Sequence, residues 1–305
     1  MVDNTQNESC YGFGVRSGVE MRFMRQGGVR EIIDVVEAPH PLPVPAGRAL
    51  FEWRFRGADN TIKASLHEQG SEYLFWTADT GCYRIAPERR RIEIPAGANA
   101  IRREERLWGV PAMLCLIDRG DFPLHASAVE IDSGALLFAG PGGSGKTTLA
   151  LGFHLEGYRI LTEDMSCCDL ASEPALLPGP TSLRVRPDVF PFQMPQGARV
   201  VLKEDERIHL LIERNRQGTS VPVPVRALCF LRESDDEIRF ERVRPQDAIP
   251  DIWALSFRFQ TDQELRRSFL RVVRLAGSIP LWNLYRPARL DRLGETINQI
   301  IETLG

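Results

Sequence analysis

The chain has 305 residues, 43% of them apolar, with a net charge of -3 and a pI near 6.0. That leaves room for one large domain or two ordinary ones with real cores, and it excludes a global electrostatic pull toward nucleic acid or an anionic membrane. No apolar run approaches the roughly 20 residues of a membrane helix, and the six cysteines form no C-x-x-C pair, so reduced thiols in a soluble, cytoplasmic protein are expected.

Residues 1–9 are polar and lack the basic-then-apolar build of a secretory leader. Over residues 11–97 short apolar runs are separated by turn residues, which predicts an N-terminal antiparallel β domain (residues 1–97) without a clear helix. Phe51-Glu52-Trp53-Arg54-Phe55-Arg56 and Ile62-Lys63-Ala64-Ser65-Leu66 alternate, as does the shorter Ile92-Glu93-Ile94; each predicts a half-buried strand. Residues 38–45 contain Pro39, Pro41, Pro43 and Pro45, which cannot donate to a strand ladder and predict a loop. The clusters Arg89-Arg90-Arg91 and Arg102-Arg103 with Arg106 read either as solvated faces or as phosphate- or peptide-binding patches. Nothing in this part shows chemistry.

Residues 98–120 predict a helical connector packed through Leu107, Met113, Leu114 and Ile117. A strand follows at 124–131, then the turn chemistry Asp132-Ser133-Gly134, then an apolar run at 135–139. Together they predict a hairpin. A simple doubly wound sheet would place a helix there instead. After a glycine-rich stretch, Leu149, Ala150 and Phe153 give one helix face, Gly157 sits where a helix closes, and 158–163 reads as a strand. From there to about Arg216, proline and charge predict exposed loops with few strands. Strands are expected at 221–231 and 238–243. Leu265, Phe269, Val272, Val273 and Ala276 predict a helix, 279–285 a strand, and Leu290, Leu293, Ile297, Ile300, Ile301 and Leu304 a last helix after Pro287. No internal repeat is visible.

The glycine-rich stretch is Gly140, Pro141, Gly142, Gly143, Ser144, Gly145, Lys146, Thr147 and Thr148, with the spacing G-x-x-x-x-G-K-[ST] between an apolar run and a helix. Glycines let several backbone N–H groups turn inward on one anion, and the helix adds its positive end. In such a loop Lys146 reaches the β and γ phosphates of a nucleotide, and the Thr147 hydroxyl takes one position on Mg²⁺. Thr148 is the weaker metal ligand.

Transfer of a phosphoryl group needs a second metal contact and something to position the attacking group. Glu163 and Asp164, at the end of the strand after the helix, can supply both, one facing the metal and the other the incoming hydroxyl. Without the loop upstream, the same pair would read as a helix cap or solvated turn. His125, on the strand before the loop strand, is either structural or a donor to a phosphate or carboxylate. In Ser182-Leu183-Arg184-Val185-Arg186-Pro187-Asp188, Arg184 or Arg186 could stabilise charge on the transferring group or be mere surface charge. Lys203 and Arg207 are weaker candidates of that kind.

No L-S-G-G-Q, N-K-x-D, V-A-I-K, H-R-D or D-F-G string occurs, which excludes ABC-type ATPases, GTPases and protein kinases of the eukaryotic type. His125-Ala126-Ser127-Ala128-Val129, the hairpin, the loop, Gly157-Tyr158-Arg159-Ile160-Leu161 and the pair Glu163-Asp164 together resemble the catalytic domain of HPr kinase/phosphorylase. A weaker match continues through residues 182–188 and the C-terminal helices. It is similar to the HPr-kinase-related enzymes of ribosomal peptide biosynthesis, such as those acting on lasso peptide precursors.

The resemblance implies an α/β fold with α+β character: a P-loop, phosphoenolpyruvate-carboxykinase-like mixed sheet with flanking helices over residues 121–305, preceded by the smaller β-rich domain. It implies transfer from ATP, with Mg²⁺, to a serine hydroxyl on a small protein or ribosomal peptide, in an enzyme family that assembles into oligomers. It places Glu163 as general base, Asp164 with Thr147 as metal ligands, and His125, Lys146 and Arg186 or Arg184 in the charge shell. Two departures stand out: the family pair is usually Asp-Asp, and residues 179–205 lack the glycine-spaced segment of the bifunctional enzymes. Phosphorolysis and HPr itself as substrate are therefore not expected. A nucleotide-binding regulatory module without phosphotransfer, or a small-molecule kinase, are the alternative readings.

Overall fold

The computed structural model describes residues 7–54, 61–190, 194–213, 218, 220–259 and 261–305. Phe55 and Arg56 of the expected alternating run, the first six residues and Arg216 lie outside that set. In chain order the first strands are β1 (Glu8–Ser9), β2 (Phe13–Ser17), β3 (Arg25–Gln26), β4 (Glu31–Glu37), β5 (Phe51–Arg54), β6 (Ile62–Gln69), β7 (Glu72–Thr77), β8 (Gly81–Ala86) and β9 (Arg91–Ile94). Seven of them form one sheet, ordered β2-β4-β9-β8-β7-β6-β5.

That sheet is not purely antiparallel. From β9 to β5 it is, but β2 pairs β4 and β4 pairs β9 in parallel. For β4 and β9 the cause is the long excursion through the proline loop and the meander β5–β8, which brings the chain back beside β4 in the same direction; for β2 and β4 it is the longer connection through residues 18–30, too long for a hairpin. The expected strand at Phe51 forms but is exposed at every position of β5, because it is the sheet edge.

Two helices follow, α1 (Ala100–Leu107) and α2 (Val110–Arg119). Asn99 caps α1 by accepting from the Ile101 and Arg102 N–H groups, and Gly120, at φ 102°, closes α2. Both helices pack on the sheet: Ile101, Leu107, Trp108 and Leu116 join Phe13, Ile33, Tyr83 and Ile92 in one apolar core, which continues into Met165, Cys167 and Leu177. The fully buried Arg25 ties the same two parts together, donating to the carbonyls of Ile160 and Gly179.

The second half contains β10 (Phe122–Leu124), β11 (Ala126–Ile131), β12 (Gly134–Ala139), α3 (Lys146–Leu155), β13 (Arg159–Thr162), β14 (Ser166–Asp169), β15 (Ala175–Leu177), β16 (Ser182–Val185), β17 (Ala198–Lys203), β18 (Ile208–Ile212), β19 (Val223–Glu233), β20 (Arg239–Arg242), α4 (Pro245–Leu255), α5 (Asp262–Ser278), β21 (Leu281–Arg286) and α6 (Leu293–Leu304). The hairpin is present: β11 and β12 pair antiparallel with Ile131 opposite Gly134, and Asp132 and Ser133 both take positive φ, the twist that suits a two-residue hairpin loop.

A mixed sheet runs β10-β14-β15-β19-β12-β11-β13, with β21 and then β20 added beside β19. Pairs β12–β19 and β19–β21 are parallel. Both of its faces are covered. Val129, Leu136 and Phe138 pack on Leu149 and Phe153 of α3 and Ile297 and Ile300 of α6, whereas Ala126, Ala128 and Leu137 face Ile252 of α4 and Val272 and Leu275 of α5. This is a mixed α/β architecture with helices on both sides of the sheet.

Among the described residues of 164–216, strands are more numerous than expected. These residues contribute β14–β18, and β16-β18-β17 form a separate sheet whose Leu183, Val185, Ile208 and Leu210 pack on Ala150 and Leu151. Each apolar run there is only a few residues long and is bounded by proline or by charged residues such as Glu204-Asp205-Glu206-Arg207, so local periodicity does not reveal it. Helix α4 escaped for a related reason: Pro245 begins it and Pro250 lies inside it, which reads as a break. In α5, Phe269 and Val273 are exposed rather than core.

Candidate active site

The chain leaves β12 at Ala139, turns through Gly140–Gly145 and re-enters regular structure as α3 at Lys146. Gly143 and Gly145 both take φ 88°, a left-handed conformation that side chains with a Cβ adopt only with strain. A Cβ at Gly140 would stand 2.8 Å from Ser144 Oγ, so the loop also needs a bare backbone to fold over itself. Lys146 is buried and bends back along the loop, donating to the carbonyls of Gly140 at 2.7 Å and Pro141 at 3.0 Å. Its burial lowers its pKa, against the pull of Asp164 and Glu163.

β13 ends at Thr162, next to β11, and delivers the two acids to the N-terminal end of α3. Glu163, only 8% exposed, accepts a hydrogen bond from the Thr147 hydroxyl at 2.8 Å and another from Arg184 Nε at 3.2 Å. Burial pushes its pKa up, the Asp164 charge adds to this, and Arg184 opposes it. Asp164 has half its side chain in solvent and accepts from Arg184 Nη2 at 3.0 Å. Desolvation works against its charge, but Arg184, His125 and Lys146 outweigh that and hold its pKa below the usual carboxylate range.

His125 sits at the break between β10 and β11, where its N–H is held by the Leu255 carbonyl at 2.8 Å. Its Nδ1 lies 3.2 Å from the Asp164 carbonyl oxygen and 3.4 Å from Asp164 Oδ1. A carbonyl only accepts, so Nδ1 carries the proton. Burial lowers the His125 pKa despite Asp164 beside it.

Of the two candidate arginines, Arg184 bridges both acids, while Arg186 pairs with Asp188 at 2.6 Å further along the same cleft. Arg184 pairs across the sheet with His209, and Glu163 raises its pKa further against the cost of burial. Thr148 also lines the cleft, as does Arg207, whereas Lys203 does not.

The cleft has a volume of about 990 Å³ and reaches from the loop, past the acids, to the N-terminal sheet and α1. Its far wall contains side chains without a local sequence signal. His209 Nδ1 lies 2.8 Å from Glu105 and its Nε2 3.4 Å from Glu204; Arg102 pairs with Glu204, and Arg106 with Asp79 at 2.7 Å. Two of the three arginines of the second cluster are thus committed to ion pairs in the cleft wall, and Arg103 pairs with Glu37 away from it. In the first, Arg90 is largely buried and pairs with Glu31 and Asp118.

One more residue reaches the loop from a distance in sequence. Arg286, at the end of β21, donates through Nη2 to the Ser144 carbonyl at 2.6 Å. The described residues contain no helix long and apolar enough to cross a membrane. No family model matches the chain, and no curated protein matches it. The solved structure of the Hpr(Ser) kinase/phosphatase from Coxiella burnetii is similar to it at 11% identity, covering 59% of this chain and 93% of that one with a TM-score of 0.30.

Proposed function

We propose that this chain is an ATP- and Mg²⁺-dependent kinase that transfers the γ-phosphoryl group to a serine hydroxyl on a small protein or ribosomal peptide, as its resemblance to HPr-kinase-like enzymes implies. One observation carries the reading: the acid pair lies one hydrogen bond from the glycine-rich loop, through Thr147 and Glu163 at 2.8 Å. A glycine turn or a capped strand end would not need that meeting. In the reading the backbone N–H groups of residues 142–146 and Lys146 hold the phosphate tail, with residues 1–97 and 98–120 walling the acceptor side of the cleft.

Among the described residues no group of three or more His, Cys, Asp or Glu could hold a metal unaided. Magnesium needs less, since it takes one or two side-chain oxygens and draws the rest from phosphates and water. The Thr147 hydroxyl and the ionised Asp164 beside the loop fit that demand. When bound, the ion would neutralise charge on the transferring group.

Glu163 and Asp164 are suited to different tasks because their surroundings push their pKa values apart. Glu163, raised above the ordinary glutamate value, is the better acceptor for the serine proton, and Asp164, held below the carboxylate range, the better metal ligand. Arg184 lies between them and can offer its guanidinium to the phosphoryl oxygens. His125 keeps Asp164 oriented through Nδ1.

Incubation with γ-labelled ATP, Mg²⁺ and serine-containing peptides tests the reading. Label on serine that disappears when Mg²⁺ is omitted is the expected result. Nucleotide binding with no label on any acceptor would favour the regulatory module, and label on a metabolite a small-molecule kinase.

A further inference from the structure

Arg286 has no part in the scheme above, yet its setting is unusual for a cation. It is 7% exposed, and its Nε is buried without a hydrogen-bond acceptor among the described residues. Its two acceptors are carbonyl oxygens, Ser144 at 2.6 Å and Pro287 at 3.2 Å. It forms no ion pair among the described residues, although buried charges ordinarily sit opposite a counter-charge. Burial lowers its pKa, with Glu233 opposing.

The contact with Ser144 has a direct consequence for the loop. In a planar trans peptide the carbonyl oxygen and the next residue's N–H point to opposite sides. Holding the Ser144 oxygen toward β21 therefore turns the Gly145 N–H the other way. Gly145 also makes the contact possible: a Cβ there would stand 2.1 Å from Arg286 Nη2. The glycine at the end of the motif thus answers two demands, a positive φ and the close approach of a guanidinium.

We propose that Arg286 is a positioning residue for the phosphate tail, fixing the Ser144–Gly145 peptide so that its N–H can serve a polyphosphate anion and placing a positive charge, without an ion pair among the described residues, behind the loop. This rests on the kinase reading and deepens it, since it assigns tail recognition to a strand far from the motif. It also predicts that inorganic triphosphate, which has no base or sugar, feels Arg286 as strongly as ATP does.

The test titrates wild type, R286K and R286M with MgATP and with inorganic triphosphate by calorimetry, alongside melting without ligand. R286M should weaken both ligands at least about tenfold, the loss expected for a hydrogen bond made by a charged group. R286K, which keeps the charge and a donor group, should recover most of the affinity. Should R286M not fold, R286Q is compared with R286K, and lysine should bind at least about fivefold tighter than glutamine; equal affinity overturns the proposal. So does R286M binding as tightly as wild type, which leaves the kinase reading intact. Equal weakening in R286M and R286K with a lowered melting midpoint in both marks a purely structural role and overturns it too. A wild-type chain that binds neither ligand removes the kinase reading as well.

Discussion

Thr147 and Glu163, 16 positions apart, meet at 2.8 Å with the hydroxyl donating to the carboxylate. The contact joins the start of the helix after the glycine-rich loop to the strand beyond it, so the two halves of the motif are one polar unit. Glu163→Gln keeps the size and one acceptor oxygen, which can still take the Thr147 hydroxyl, but puts an amide NH2 where the other oxygen stood and removes the proton acceptor. It should lower turnover by at least about 10²-fold while nucleotide affinity stays near wild type. Labelled transfer measured beside calorimetric binding checks this, and near-normal turnover would take Glu163 out of that role.

Arg184 makes the sign of the pH dependence predictable. Burial raises the Glu163 pKa and Arg184 opposes that rise. The acidic limb of the rate profile, where the base must lose its proton, should lie above the ordinary glutamate range. Arg184→Leu removes the opposing charge, so the limb should move to still higher pH, and Asp164 should lose the largest influence holding it ionised. Rate profiles of the two proteins between pH 5 and pH 9 decide it; a limb that stays in place, or moves down, contradicts the assignment.

The loop and its hairpin were legible because their chemistry is local. Gly140, Gly145, Lys146 and Thr147 lie within one turn, and Asp132-Ser133-Gly134 names its own conformation. The choice between Arg184 and Arg186 was not legible. As i and i+2 they would share one strand face, but β16 ends at Val185, and the chain departs at Arg186 before Pro187. Only the pairing with β18 shows which guanidinium stays over the acids. Arg286 and the Glu105–His209 pair are joined to the cleft by contacts 142 and 104 positions long, for which a lone sequence has no signal. Strands β14–β18 stayed hidden because two to four apolar residues between prolines or charged residues do not make a period.

Lys146 offers a third check. Its ammonium now donates to two loop carbonyls, and in the kinase reading it would turn from them to the phosphate tail. Lys146→Met keeps the length and apolar stem but loses every donor. Affinity for ATP should fall by about tenfold or more, while affinity for adenosine, which lacks the tail, should change little. Displacement of a fluorescent nucleotide by each competitor measures both. Loss of adenosine binding to the same extent would mean that the substitution had merely disrupted the loop.

The last prediction concerns stability rather than catalysis. Glu104 on α1 is 4% exposed and accepts from the N–H groups of Arg22 and Phe23 and from Trp108 Nε1. Burial nevertheless dominates and pushes its pKa from 4.5 up to about 7. Below pH 4.5 the group is protonated in both the folded and the unfolded chain and contributes no slope. Between there and about pH 7 the unfolded chain gives up the proton that the folded one keeps, so folding stability falls as pH rises, by roughly 3 kcal/mol in all. Above that both forms are ionised and the loss is complete. Glu104→Gln, isosteric and neutral throughout, should abolish this contribution, so that wild type loses stability relative to the variant from pH 4.5 to pH 7. Urea unfolding at intervals across that window measures the difference, and a gap between the two proteins that does not change with pH would show that Glu104 is ionised in both states.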